Sequence, residues 1–300
     1  MLTEIQLEEY KSKGFCVAHG FLSDEESRRL LDEVGSICSG ATLAHHDATR
    51  LEMEPNQPAD GNKVRRIYDP CTHYDVFRDL AGGNKMVECM AQLLGPDVFF
   101  FSSKINVKPA EIGSIVEWHQ DMAYGPLTNR SVVAVLIYLD DADLTNGCLQ
   151  AVPGQDRMLD HSLNGFFQGR ITEPLDTSRA VPLEGKCGTT IFFNGLVPHA
   201  SSVNTSSRPR RTLILGYRAA DAFPIHLGPM TAKADQFVRL VHGEPSPTAR
   251  FDMECVFIPR YPAETKSLYD LQERSRAMDP RSSPRLTIAG KTGEPPTMRQ

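Results

Sequence analysis

No two of the seven cysteines (Cys16, Cys38, Cys71, Cys89, Cys148, Cys187 and Cys255) lie at a CxxC spacing, and their number is odd. That argues against a disulfide framework and against a cysteine-ligated zinc. Reduced, mostly buried thiols are expected. Long apolar runs are also missing. The longest, Val132 to Leu139, is too short to span a bilayer. The opening MLTEIQLEEYKSK carries no apolar stretch of the signal-peptide kind. No membrane partner and a cytoplasmic setting are expected. A basic excess is lacking too: 38 acidic residues outweigh 32 basic ones, for a net charge of −6. Nucleic-acid binders usually show the opposite balance, so no nucleic acid is expected. There is no internal repeat, no low-complexity block and no heptad pattern, and the oligomeric state is left open.

What is present suits one folded unit. Apolar residues make up 40% of the chain and charged residues 23%, enough to bury a sizeable core. A single domain is expected over residues 1–278, with a helical N-terminal part (1–95) and a β-rich core (about 98–220). The remainder, 279–300, is rich in Pro, Arg, Ser and Thr and is expected to be poorly ordered.

Local signals support this division. Thr3 with Gln6, and Ser23 with Glu26, fit capping boxes. After Ser23, Leu30, Leu31, Val34 and Ile37 recur at helical spacing, and Gly40 is a plausible stop. GFCVAHGF (14–21) reads as a short strand, and a further helix is predicted over 85–94. Residues 41–63 show no periodicity and read as a long loop. From Val98 the pattern changes to short strands: VFFFS, SKINVK, SIVEWHQD, SVVAVLIYL, GCLQAV, GTTIFF and TLILGY. Turn residues such as Gly125-Pro126, Asn146-Gly147 and Asn194-Gly195 separate them. This spacing predicts a sandwich or barrel with helices packed on one outer face.

Three elements carry possible chemistry. His119 and Asp121 stand two apart in a strand-like run, and so are expected on one face. His199 follows an apolar strand and the Asn194-Gly195 turn, at what would be a sheet rim. Eleven residues later, Arg210 and Arg211 open another strand. Arg210 shares a face with Thr212 and Ile214, and Arg211 with Leu213 and Leu215; alternation alone does not choose between the two arginines. An HxD pair, a distal histidine and an arginine form the layout of a two-histidine, one-carboxylate iron site with an acid-binding cation.

On these residues the chain resembles the phytanoyl-CoA dioxygenase-like group of Fe(II)/2-oxoglutarate oxygenases. The matching runs are LTEIQLEEYKSKGFCVAHGFLSDEE, SKINVKPAEIGSIVEWHQDMAY, VLIYLDDADLTNGCLQAVPG and NGLVPHASSVNTSSRPRRTLILGY, over roughly residues 2–225. The resemblance implies a mainly β fold with flanking helices around a double-stranded β-helix, or jelly roll. It implies His119, Asp121 and His199 as iron ligands, and Arg210 as the partner of the distal carboxylate of 2-oxoglutarate. Asn106 and Ser201 match positions that help hold this co-substrate. The implied reaction consumes O2 and turns 2-oxoglutarate into succinate and CO2 while oxidising, most simply hydroxylating, an unactivated C–H bond of a small molecule. Because Asp121 is a carboxylate rather than a small residue, oxygenation is expected and not halogenation. Two alternatives stand beside this reading: a jelly-roll metalloenzyme without 2-oxoglutarate, and a non-catalytic jelly-roll binding module.

Other residues are placed more loosely. Met122 and Tyr124 are candidates for the pocket wall, with core packing as the plainer role. The 41–73 stretch, with His45, His46, Arg65, Arg66, Tyr68 and His73, is a candidate lid. Lys104 and Lys108 share a strand face with Asn106 and are candidates to meet an acidic substrate or co-substrate, with exposure to solvent as the commoner role for strand lysines. Trp118, opposite His119 by alternation, is expected in the core. Asp140, Asp141 and Asp143 are expected to form a solvated turn rather than a calcium site.

Overall fold

A computed structural model describes residues 1–154, 157–162, 169–225, 237–253 and 268–278, with 274–278 described by their backbone alone. The tail expected over 279–300 lies outside the described residues, as does Cys255.

Both capping boxes form. Thr3 begins α1 (Glu4–Lys13): its hydroxyl accepts the Gln6 N–H while Gln6 Oε1 accepts the Thr3 N–H. Ser23 and Glu26 do the same for α2 (Asp24–Cys38). Such caps satisfy two otherwise orphaned N–H groups at each start. Between these helices runs β1 (Phe15–Ala18). The helical expectation for 1–95 then needs correction. Residues 51–68 form a hairpin of β2 (Leu51–Met53) and β3 (Val64–Tyr68). Three short helices follow: α3 (Pro70–His73), α4 (Asp75–Gly82) and α5 (Asn84–Leu94).

The β-rich part begins with β4 (Val98–Lys108), which merges the two strands expected there. After it come β5 (Val116–His119), β6 (Val132–Tyr138), β7 (Leu149–Ala151), β8 (Val181–Leu183) and β9 (Thr190–Asn194). The last strands are β10 (His199–Ser201), β11 (Arg210–Ala219) and β12 (Arg239–His242), followed by α6 (Leu268–Met278). They build two antiparallel sheets. The larger runs β1-β9-β6-β11-β4-β3-β2, with β12 also pairing with β4; the smaller runs β5-β10-β7-β8. This is the expected jelly roll, with the large sheet extended by strands from the N-terminal part.

Alternation assigns the two faces of the large sheet. Ile105 and Val107 of β4, Val133, Val135 and Ile137 of β6, and Leu213 and Leu215 of β11 point outward. They form a core with Leu30 and Val34 of α2, Phe77 of α4, and Met86 and Met90 of α5. The opposite face looks toward the small sheet: Ala134, Leu136, Tyr138, Ile191 and Phe193 pack with Leu149, Ala151 and Leu183. The polar residues of the site lie on this inner face. Among the described residues, no helix is long and apolar enough to cross a membrane.

Candidate metal centre

Strand pairing brings the two histidines together. His119 ends β5 and His199 opens β10, and the two are directly paired across the small sheet. Their ring centroids are 4.1 Å apart. Each imidazole is oriented by its own backbone: Nδ1 of His119 lies 2.7 Å from the Glu117 carbonyl, and Nδ1 of His199 lies 2.9 Å from the Val197 carbonyl. A carbonyl can only accept, so each Nδ1 carries the proton and each Nε2 keeps its lone pair. Burial and the neighbouring His199 push the His119 pKa well down, which keeps it neutral.

Asp121 reaches the same point by a different route from the one expected. β5 stops at His119, and Asp121 starts a 3-10 turn, Asp121–Ala123. The two side chains therefore do not share a strand face; the turn swings the carboxylate back. Asp121 Oδ1 is 3.7 Å from His119 Nε2 and 3.9 Å from His199 Nε2. These gaps are too wide for hydrogen bonds. All three donor atoms lie within 4.8 Å of one another, the only such group among the described residues. Two imidazole nitrogens and one carboxylate oxygen suit a ferrous ion with open coordination positions.

The turn is braced from behind. The Met122 N–H donates to the Gly195 carbonyl at 3.1 Å, and a Cβ on Gly195 would meet Met122 Cγ at 3.0 Å and Val132 Cγ1 at 2.9 Å. Glycine at the Asn194-Gly195 turn thus lets the Asp121 turn and the approach to His199 pack closely. Gln120, fully buried, donates to the carbonyls of Arg157 (2.9 Å) and Leu196, and accepts from the Leu159 N–H at 2.7 Å. Its own N–H donates to His161 Nε2 at 3.2 Å. His161 is buried, and burial pushes its pKa down to about 4.

A pH dependence follows. Below about pH 6.5 an unfolded imidazole takes a proton that folded His161 refuses until about pH 4. The folded state then binds fewer protons, so stability is full above pH 6.5 and falls as the pH drops toward 4, by up to about 3 kcal/mol. His161→Gln is expected to flatten this part of the acid slope, as checked by urea unfolding of the metal-free protein between pH 7.5 and 4.5.

The open choice between the two arginines is settled by the small sheet. Arg210 lies on the inner face of β11 and is 5% exposed; Arg211 points outward and pairs with Asp140 at 2.5 Å. Arg210 NH1 donates to Thr212 Oγ1 at 2.6 Å, and its buried Nε has no hydrogen-bond partner among the described residues. A buried guanidinium left with spare donors is costly unless an anion completes it. Asn106 sits beside Thr212 on the neighbouring strand, on this same face. Ser201 is buried, two residues past His199 and on its side of β10.

Several expectations fail here. Lys108 is wholly buried, not solvent-facing. It pairs in register with Arg210, and its Nζ donates to the Ser114 carbonyl. Burial and then Arg210 push its pKa well down. Gly147, at φ 79, lies against its stem: a Cβ there would come within 3.0 Å of Lys108 Cδ and 2.5 Å of the Ser202 carbonyl. Lys104 is half-buried. Trp118 is also half-buried, while Glu117 and His119 take the inner positions. Within the 41–73 stretch, read as loop from 41 to 63, β2 and β3 form a hairpin at the sheet edge and α3 follows it. Arg66 is buried on this hairpin and donates through Nε to Asn106 Oδ1 at 3.0 Å. His45 is exposed; His46 is half-buried, with Nδ1 2.9 Å from the Thr42 carbonyl.

Met122 packs in an apolar cluster with Leu127 and Leu196. Tyr124 turns its ring edge to His119 at 5.7 Å and donates its hydroxyl to the Gly169 carbonyl at 2.9 Å. In the acidic turn Asp141 pairs with Lys186 and Asp143 with Arg208.

α6 closes one side of the site and has no counterpart in the sequence reading. Leu271 packs on Ala123 and Tyr124, next to the Asp121 turn. Gln272 Oε1 accepts the Glu117 N–H at 3.0 Å, on the strand that carries His119. The Tyr269 ring lies 4.9 Å from the Arg65 guanidinium and 5.2 Å from that of Arg66. Only the spacing of Tyr269, Gln272 and Glu273 along one helix could have hinted at this.

Comparison with known proteins agrees with the geometry. Residues 10–212 match the family model for phytanoyl-CoA dioxygenase (PhyH). A probable alpha-ketoglutarate-dependent hypophosphite dioxygenase of Stutzerimonas stutzeri is 31% identical over 229 residues, which is 73% of this chain and 80% of that protein. An ectoine dioxygenase of Bordetella bronchiseptica is 25% identical over 241 residues, covering 73% of this chain and 76% of its own length. The crystal structure of EctD from S. alaskensis with bound Fe shares the fold, with a TM-score of 0.64 at 22% identity over 82% of this chain and 88% of that one. With two facing imidazoles, a carboxylate and a buried arginine arranged on this jelly roll, the chain belongs to the phytanoyl-CoA dioxygenase family of Fe(II)/2-oxoglutarate oxygenases.

Proposed function

We propose that this protein is a non-haem Fe(II)/2-oxoglutarate-dependent dioxygenase that hydroxylates a C–H bond of a small, polar substrate. The observation that carries this reading is the convergence of His119 Nε2, His199 Nε2 and Asp121 Oδ1, with both Nδ1 atoms tied to backbone carbonyls. These three side chains would hold the metal. Arg210 would pair with the distal carboxylate of 2-oxoglutarate, with Asn106 and Ser201 beside it. When bound, the ferrous ion, 2-oxoglutarate and O2 supply the oxidising power, and the overall change inserts one oxygen atom into substrate while the other enters succinate as CO2 leaves.

The chain's own part is placement. The Glu117 and Val197 carbonyls fix the imidazole tautomers, and the Gln120 contacts hold the ligand turn in register. The two packed sheets bury both imidazoles between them. Six described cysteines are free thiols, which suits a reducing compartment such as the cytoplasm. The test is anaerobic addition of Fe(II) and 2-oxoglutarate to purified protein. A weak visible charge-transfer band is expected, and O2 with a substrate panel should then yield succinate. A chelator should remove both signals. A protein that binds neither metal nor 2-oxoglutarate would be a binding module instead.

A further inference from the structure

The inner face of β4 presents Lys104, Asn106 and Lys108 in alternation. Lys108 is fully buried beside its cross-strand partner Arg210, and Asn106 accepts from Arg66. Lys104 is left without a task. It is half-buried, on the face that looks toward the metal ligands, and has no hydrogen bond or ion pair among the described residues. The nearby Asp121 carboxylate favours its charged form, but burial outweighs this and Arg66 adds repulsion. Arg66 is 5% exposed, spends its Nε on Asn106, and lies 4.0 Å from Glu52. Glu52 itself is engaged by Arg65 at 2.6 Å and by the Tyr68 hydroxyl at 2.7 Å.

The charges around the centre do not balance. Arg65 is matched by Glu52 and, at the rim, by Glu273. Buried Glu54 lies close enough to act on Lys108. Glu117, beside His119, is matched by Arg170 at 3.7 Å, and among the described residues what remains inside is Arg66, Lys104 and Arg210 against Asp121. A ferrous dication and the dianion of 2-oxoglutarate offset each other. Counted over the described residues, the balance stays positive even with the half-exposed Glu273 taken in full. Concentrating like charges in a low-dielectric cleft is costly unless a bound anion relieves it. The aromatic rings of Tyr68 and Tyr269 flank Arg66 at 5.8 and 5.2 Å and leave Lys104 as the inner cation.

We propose that Lys104, with Arg66 behind it, binds an oxyanion group of the substrate, so that this enzyme acts on small anionic molecules and holds them by that group beside the metal. The proposal rests on the Fe(II)/2-oxoglutarate reading and adds the substrate's charge class. A phosphonate, a phosphinate or a carboxylate shares the required chemistry.

The test uses calorimetry on the anaerobic Fe(II)/2-oxoglutarate complex of the full chain. Methylphosphonate and acetate serve as anionic probes and methanesulfonamide as a neutral one. At least one anion is expected to bind and the neutral probe not to. Lys104→Met should weaken the anion at least tenfold, while Lys104→Arg should stay within about threefold of wild type. In both variants 2-oxoglutarate affinity, read from the charge-transfer band, should stay within twofold, which also reports an intact fold. Unchanged anion affinity in Lys104→Met, or equal binding of the neutral probe, overturns the proposal. A matching fall in 2-oxoglutarate affinity also overturns it, by assigning Lys104 to the co-substrate. A wild-type protein that forms the band but binds neither anion sinks this proposal alone; one that forms no band sinks the functional reading with it.

Discussion

Asp121→Ala is expected to abolish substrate-dependent succinate formation, by about three orders of magnitude or more, equivalent to about 4 kcal/mol of lost transition-state stabilisation. The carboxylate is one of only three donors that converge on the site, and the two imidazoles cannot close a facial set without it. The fold should survive. The Asp121 side chain is 36% exposed, and its structural work is done by its backbone carbonyl, which accepts from the Tyr124 and Gly125 N–H groups in any variant. Unfolding free energy should change by less than about 1 kcal/mol. His199→Ala should lose turnover equally but cost more stability, because it removes a buried ring packed against Phe193 at 4.8 Å. Iron retained after dialysis, measured alongside succinate, checks both variants. Full turnover in either one would show that the ligand set is wrong.

Arg210→Met should act on the co-substrate instead. If the buried guanidinium holds the distal carboxylate, its loss removes charge-assisted hydrogen bonds worth about 1.5–3 kcal/mol each. The 2-oxoglutarate concentration giving half-maximal rate should rise about a hundredfold, with iron content unchanged. Arg210→Lys should recover only part of this, since an ammonium cannot present a planar fork. Normal 2-oxoglutarate dependence in Arg210→Met would favour a jelly-roll metalloenzyme of other chemistry.

The parts of the molecule legible in the sequence are those set by local periodicity. The caps at Thr3 and Ser23, the stripe through Leu30 and Val34, and the strands from Val98 onward follow from patterns within a dozen residues. β2 was not legible because the alternation of Leu51, Glu52 and Met53 spans only three residues before Pro55 and Asn56; it exists because β3 pairs with it. The choice of Arg210 over Arg211 needed the second sheet, since alternation states only that the two point apart. Lys108 was misplaced for the same reason. A lysine on a strand reads as solvent-facing until an opposing layer covers it, and that layer comes from residues such as Gly113 and Gly147. The 3-10 turn at Asp121 was hidden because HxD fits a strand equally well on paper. The contribution of α6 depends on a contact between Gln272 and Glu117, 155 positions apart, which no short window contains.

That separation has a consequence for synthesis. The metal donors and Arg210 all precede residue 211, whereas the helix that lines their flank starts at Leu268. Translation from the N-terminus delivers the His119, Asp121 and His199 trio before this flank is made. Closure of that flank, through the Gln272–Glu117 contact, thereby waits on a later stretch of the message than the one that brings the donors together.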